Sequence, residues 1–113
     1  MSDDATVVFD LLDDEYARDI LAETYEEPMS AEALADACDA SPSTIYRRIE
    51  RLRDQRLLAD DQRLDPDGNH YKVYTANLQR VTVELTADGF ELDVDREEDP
   101  ADRFTRLYEG FKR

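Results

Sequence analysis

Apolar residues recur at helical spacing in the first half of this chain and alternate with polar residues in much of the second half. The clearest helical stripe has the i, i+3, i+4, i+7 spacing of one buried face and consists of Ala31, Leu34, Ala35 and Cys38. The pattern stops at Asp39, and Ser41 followed by Pro42 predicts a new helix start, since Ser caps helices and Pro fits the first helical position. This second helix has its own apolar face, made of Ile45, Ile49 and Leu52. Residues 30–55 therefore predict two helices joined by a tight turn.

The other side of the second helix is polar and rich in arginine. A short helix, a tight turn and a second helix that exposes small polar and Arg side chains are what a helix-turn-helix DNA reader requires. We expect the DNA-contacting residues of this helix to be Ser43, Thr44, Tyr46, Arg47, Arg48 and Arg51. The alternative is an arginine-rich face that is merely solvated.

Two further helical segments precede this pair. Apolar residues at 8, 11 and 12 predict a short first helical turn. A helix over roughly 14–25 is predicted by a stripe made of Tyr16, Ala17, Ile20, Leu21 and Thr24. This helix and the helix-turn-helix pair can cover one another, which predicts a tri-helical core.

After Gln55 the apolar period changes from helical to alternating. The segment Asp65-Pro66-Asp67-Gly68 has strong turn chemistry, and the residues on either side favour strands, which predicts a β-hairpin over about 57–76. A hairpin directly after a recognition helix is the wing of a winged helix. Four polar residues near its tip could reach phosphates or the minor groove, or form a solvated turn: Arg63, Asn69, His70 and Lys72.

The end of the chain predicts a second hairpin and a last helix. The second alternation consists of Val81, Val83 and Leu85, a turn at 86–89, and Phe90, Leu92 and Val94. Asp99 and Pro100 then predict a helix start, followed by an apolar stripe of Phe104, Leu107, Tyr108 and Phe111. This stripe could close the chain's own core, but we expect it to make a homodimer, since helix-turn-helix readers normally double their half-site. The predicted fold is α+β, with a winged helix-turn-helix domain over 1–79 and the hairpin and dimerisation helix over 80–113 in the same compact unit.

Charge is spread unevenly along the chain. The 113 residues contain 29 acidic and 14 basic side chains, for a formal net charge of −15. Residues 1–40 hold 13 acids and one base, whereas residues 41–63 hold six arginines and four acids. A merely solvated helix face would share the acidic bias of the rest, so the contrast favours DNA contact by the second predicted helix.

The rest of the composition bears on where such a protein works. No apolar run approaches the length of a membrane span and the N-terminus lacks signal-peptide features, so we expect a cytoplasmic protein with no membrane partner. Only Lys72 and Lys112 are lysines. A strongly acidic, lysine-poor surface on a DNA-binding scaffold is typical of halophiles, whose molar internal salt screens self-repulsion. An acidic protein-binding surface is the alternative.

Residues 8–76 resemble the winged-helix regulators of the ArsR type, in the small form common in halophilic archaea. The segments that carry the resemblance are SAEALADACDASPSTIYRRIERLRDQRLL, LDPDGNHYKVY, VTVELTADGFEL and DPADRFTRLYEGF. The resemblance implies a homodimeric transcription regulator whose recognition helix enters the major groove of double-stranded DNA. Its DNA-reading residues would be Ser43, Thr44, Arg47, Arg48 and Arg51. The sequence does not point to an effector.

The residues also bear on metal and enzyme functions. Metal-sensing members of that family use a cysteine pair or His and carboxylate ligands, whereas this chain has one Cys and one His far apart, so we expect no metal site and no cofactor. No phosphate loop or nucleophile elbow occurs among its three glycines, so we do not expect an enzyme. A winged-helix adaptor that binds only protein remains an alternative.

A thiol redox regulator that works through Cys38 is the other alternative. Cys38 is in phase with the buried stripe, which favours a structural thiol. We expect its acidic neighbours Asp36 and Asp39 to raise its pKa and blunt its reactivity.

Overall fold

The structure, a computed structural model, describes residues 3–97, which form four α-helices followed by two β-hairpins. The helices are α1 (Asp3–Asp13), α2 (Glu15–Glu23), α3 (Ala31–Ala37) and α4 (Pro42–Asp54). The antiparallel hairpins pair β1 (Leu58–Leu64) with β2 (His70–Ala76) and β3 (Leu78–Thr86) with β4 (Gly89–Arg96). The predicted α+β winged helix-turn-helix with a second hairpin is confirmed. The predicted last helix, with Phe104, Leu107, Tyr108 and Phe111, lies outside the described residues.

The predicted apolar stripes of the helix-turn-helix pair form the centre of the core. Helices α2, α3 and α4 and the base of the first hairpin bury a common cluster that includes Ile20, Leu34, Ile45, Ile49, Leu52, Leu57 and Leu58. The buried Thr24 hydroxyl donates to the Ile20 carbonyl at 2.7 Å, so this polar group enters the core with its hydrogen bond made. The core therefore fixes which side of α4 faces outward.

The first helix is longer than the sequence analysis predicted. We expected a short turn near Val8 and Leu11, but α1 spans 11 residues and also buries Ala5. Buried positions 5, 8 and 11 continue one helical side toward the N-terminus. Because Ala5 is small and follows two aspartates, its apolar signal was too weak to extend the predicted helix.

The first hairpin, which we call the wing, is held against the helices by its backbone. The Met29 amide donates to the Tyr74 carbonyl at 3.0 Å, and the Tyr74 amide donates to the Met29 carbonyl at 2.8 Å. At the wing tip the Asp65 carboxylate accepts from the amides of Asp67 and Asn69 at 3.0 and 2.8 Å. Gly68 takes φ +85°, a conformation that glycine adopts without steric cost. The predicted Asp-Pro-Asp-Gly turn is confirmed.

Candidate nucleic-acid interface

The turn between α3 and α4 is fixed by hydrogen bonds on both sides. Asp39, two residues after the end of α3, lies in the left-handed region at φ 51°, and the Ala40 amide donates to the Ala35 carbonyl at 3.0 Å. The Ser41 hydroxyl then accepts from the Thr44 amide at 3.2 Å, which caps the start of α4 ahead of Pro42. Local hydrogen bonds therefore help to set the direction in which α4 leaves the turn.

The outward side of α4 carries two exposed arginines. Successive residues of a helix are rotated by about 100°, so positions 43, 47 and 51 lie opposite the buried Ile45 and Ile49. Arg47 and Arg51 are exposed, and their guanidiniums make no hydrogen bond or ion pair with any residue of the described range 3–97. The carboxylates of Glu50 and Asp54 share only the C-terminal half of this side. The N-terminal half is therefore the better candidate for contact with nucleic acid.

Arg48 is placed differently from its neighbour Arg47. It is partly buried, and its Nε donates to the carboxylate of Asp14 at the junction of α1 and α2. Its guanidinium carbon also lies 5.9 Å from the ring centroid of Tyr16, within range of a cation–π interaction. Its charge is thus compensated within the protein.

Tyr46, on the other flank of α4, is exposed, and its hydroxyl donates to Glu32 Oε1 at 3.5 Å.

The wing residues that we predicted for DNA contact are all exposed, but they do not form one cluster. Side chains alternate along a strand, so His70 and Lys72 lie on one face of the hairpin and Arg63 on the other. Lys72 Nζ lies 3.8 Å from Asp60 Oδ2, and Arg53 Nη2 of α4 lies 3.5 Å from Asp60 Oδ1. Lys72 therefore belongs to a bridge between the wing and α4, while Asn69 and His70 stay at the tip.

The C-terminal end of α4 is held by Arg96 of the second hairpin and by Asn77, which precedes that hairpin, and neither contact was predicted from the sequence. The Gln55 carbonyl accepts from Arg96 Nε at 3.0 Å and Nη2 at 2.9 Å, and the Arg56 carbonyl accepts from Asn77 Nδ2 at 2.8 Å. Arg56 itself takes φ 57°, and the Leu57 amide closes the helix end on the Leu52 carbonyl. Carbonyls that a helix leaves unbonded at its end are thereby satisfied.

Cys38 lies partly buried at the end of α3, against the core. Burial raises the pKa of its thiol, and the carboxylates of Asp19 and Glu23 on α2 raise it further. The predicted direction of the pKa shift is confirmed, but the responsible carboxylates come from α2 and are not Asp36 and Asp39.

Within residues 3–97, no group of three or more His, Cys, Asp or Glu side chains is placed to hold a metal ion.

A capped recognition helix, preceded by a short helix and a tight turn and followed by a wing, defines the winged helix-turn-helix class of DNA-binding fold. Residues 12–60, from the end of α1 into β1, match the family model of a helix-turn-helix domain. No curated protein matches the chain. A helix-turn-helix domain points to a DNA-binding regulator and not to an enzyme. In the described part of the chain, no helix has the length and apolar content needed to cross a membrane.

Proposed function

We propose that the chain is a sequence-specific transcription regulator of the ArsR type, which binds double-stranded DNA as a homodimer in the high-salt cytoplasm of a halophilic archaeon. The observation that carries this proposal is the outward side of α4, where Arg47 and Arg51 are exposed without a partner among the described residues. Guanidinium groups on a recognition helix suit guanine edges and phosphates. Their exposure in a chain of net charge −15 favours an anionic partner at this face.

Each part of the interface takes a role that follows from its place. Thr44 and Arg47 lie in the first half of α4 and would read base edges, whereas Arg51 would bind a phosphate. Ser43 and Tyr46 would flank them. Arg48, which is paired with Asp14, would orient the helix. The wing would contact phosphates or the minor groove through Arg63, Asn69, His70 and Lys72.

The homodimer would double the half-site that one recognition helix reads. We propose that its contacts include the apolar stripe predicted for the terminal helix: Phe104, Leu107, Tyr108 and Phe111.

The test begins by selecting bound duplexes from a random-sequence pool with the purified protein in molar KCl. Arg47→Ala should then lose about 10- to 100-fold in affinity for the selected duplex, because a bidentate Arg–guanine contact discriminates by ~1–3 kcal/mol. Arg51→Ala should weaken binding to selected and scrambled duplexes alike.

Arg80→Ala is the matched control, since Arg80 is an exposed arginine on β3 that has no part in the proposed DNA contacts. It should change neither affinity. Unchanged binding by Arg47→Ala and Arg51→Ala would reject the assignment of α4 as the DNA-reading element. A folded dimer that selects no duplex at any salt concentration would favour the protein-binding adaptor instead.

A further inference from the structure

The second hairpin has one face without carboxylates. Its register places three apolar pairs on the same side: Val81 with Val94, Val83 with Leu92, and Leu85 with Phe90. The intervening pairs carry the charged residues on the opposite side, with Arg80 opposite Asp95, Thr82 opposite Asp93, and Glu84 opposite Glu91. One face of the hairpin is therefore apolar and the opposite face is charged.

This face is covered at its base and open toward its tip. Val94 packs against the helical core, whereas Val83, Leu85 and Phe90 are 47, 69 and 55% exposed. They are three of the seven large apolar side chains exposed within residues 4–97, and they adjoin one another. A two-stranded hairpin is marginally stable alone, and a contiguous exposed apolar patch marks an interaction surface.

We infer that this face packs against a second copy of the chain and forms part of the dimer interface. The inference rests on the homodimer of the proposed function and names a further surface for it. Two copies that each carry a net charge of −15 repel each other least where the surfaces that meet are free of carboxylates. The face meets that condition, because the carboxylates of Glu84, Glu91, Asp93 and Asp95 lie on the reverse side. A basic partner protein would instead be attracted to the acidic surfaces.

The size of the interface gives an independent reason. A specific dimer buries roughly 1,200–2,000 Å² in total, more than one four-residue stripe from each copy is expected to supply. The hairpin face precedes the terminal stripe directly, since β4 ends at Arg96 and the stripe begins at Phe104. An interface that uses both segments would reach that size more readily than one that uses the stripe alone.

The first experiment compares two single substitutions on β3 that each add one carboxylate at an exposed position. Leu85→Glu places it on the apolar face, and Thr82→Glu on the charged face. Sedimentation equilibrium in 2 M KCl should show the dimer dissociation constant rising by about 100-fold or more for Leu85→Glu, because a charge would be buried at the interface. Thr82→Glu should change it by less than about threefold. Circular dichroism checks that both variants fold.

The second experiment uses cross-linking, which does not depend on the Glu variant folding. Cys38 is the only cysteine, so a Cys38→Ser background carries a single thiol in each of Leu85→Cys and Thr82→Cys. A thiol-specific bifunctional cross-linker, which bridges thiols that are not in direct contact across the two-fold axis, should link Leu85→Cys into a covalent dimer and leave Thr82→Cys monomeric under denaturing, non-reducing conditions.

A wild-type protein that is monomeric at every KCl concentration would reject the proposed homodimer and this inference with it. A wild-type dimer that withstands Leu85→Glu and does not cross-link through Leu85→Cys would overturn the inference alone. The inference is also overturned if only replacing Phe104 and Phe111 by Asp dissociates the dimer, since the interface would then lie in the terminal segment.

Discussion

Arg47 and Arg48 are adjacent in sequence and identical in chemistry, yet they occupy different environments. One step along α4 turns the side chain by about 100°, which carries it from the outward side to the flank that faces α2. Arg47 is left without a partner among the described residues, whereas Arg48 meets the carboxylate of Asp14 and the ring of Tyr16. At the scale of single residues, the partner of an arginine separates a candidate DNA contact from a structural one.

Cys38 is a second residue whose surroundings determine its chemistry. Its pKa is raised above the ordinary 9.0, so the fold favours the neutral thiol over the reactive thiolate. The raised pKa also makes the stability of the fold depend on pH. The protonated thiol makes its full contribution to the free energy of unfolding at pH values below its ordinary pKa. That contribution is lost as pH rises through the raised pKa of the folded chain, since the unfolded chain releases the proton first.

We therefore predict that iodoacetamide modifies Cys38 more slowly in the native protein than in the urea-unfolded protein at pH 8.5. Mass spectrometry over time gives both rates. Peroxide treatment should leave the DNA affinity of the wild type equal to that of Cys38→Ser, because little thiolate is available to oxidise. A loss of affinity on oxidation that Cys38→Ser abolishes would support the thiol redox regulator instead.

Helix α4 is held as an element at three places along its length. Ser41 caps its first turn, Arg48 joins its middle to Asp14, and Arg96 and Asn77 bind the two carbonyls that follow its last residue. These bonds come from the turn before the helix, from the α1–α2 junction, and from the second hairpin and the residue before it. The orientation of the outward side is therefore coupled to elements that carry no proposed DNA contact.

We predict that Arg48→Ala lowers the free energy of unfolding by about 1–3 kcal/mol, because it leaves the partly buried Asp14 carboxylate without its charged donor. Denaturant titration in molar KCl gives the value. Asp14→Asn shows whether Arg48 orients α4 or contacts DNA itself, since Asp14 lies away from the outward side of α4. If Arg48 orients the helix, both variants should weaken DNA binding by similar factors. Weakening by Arg48→Ala alone would make Arg48 a DNA contact.

The elements were predictable from sequence where their signal was local. The stripe of Ile45, Ile49 and Leu52, the Ser41–Pro42 start and the Asp65–Gly68 turn each lie within a few residues of one another, and each is confirmed. The length of α1 was not predicted, because its first buried residue is an alanine that follows aspartates. Periodicity is informative only where the apolar residues are large enough to define it.

The supports of the candidate site were beyond the reach of sequence spacing. Arg48 and Asp14 are 34 residues apart, Asn77 and Arg56 are 21 apart, and Arg96 and Gln55 are 41 apart. Such pairs are created by the packing of whole elements. The carboxylates beside Cys38 illustrate the same point, since those of α2 act on the thiol from across a helix interface.

The net charge of −15 dominates the molecule as a whole, and Arg47 and Arg51 on the outward side of α4 are a local exception to it. Neutralising phosphates with arginines normally makes affinity fall steeply with salt, through counterion release. Here the repulsion between an acidic protein and the duplex opposes binding when screening is weak. At ~1 M salt the Debye length is ~3 Å, so this long-range repulsion should fade while the direct contacts proposed for Arg47, Thr44 and Ser43 should persist.

We therefore predict a shallow or reversed dependence of DNA affinity on KCl, with specific binding retained near ~2 M, where long-range fields are screened. The proposed dimer and the fold should strengthen over the same range, because repulsion within and between the acidic chains is screened as well. Binding isotherms at several KCl concentrations, with sedimentation and circular dichroism in parallel, measure all three. Arg51→Ala serves as the control, since removing one phosphate contact should make the dependence shallower still or more strongly reversed. A steep monotonic loss of affinity up to molar KCl, with the dimer intact throughout, would show that counterion release outweighs the repulsion and would contradict adaptation of the interface to high salt.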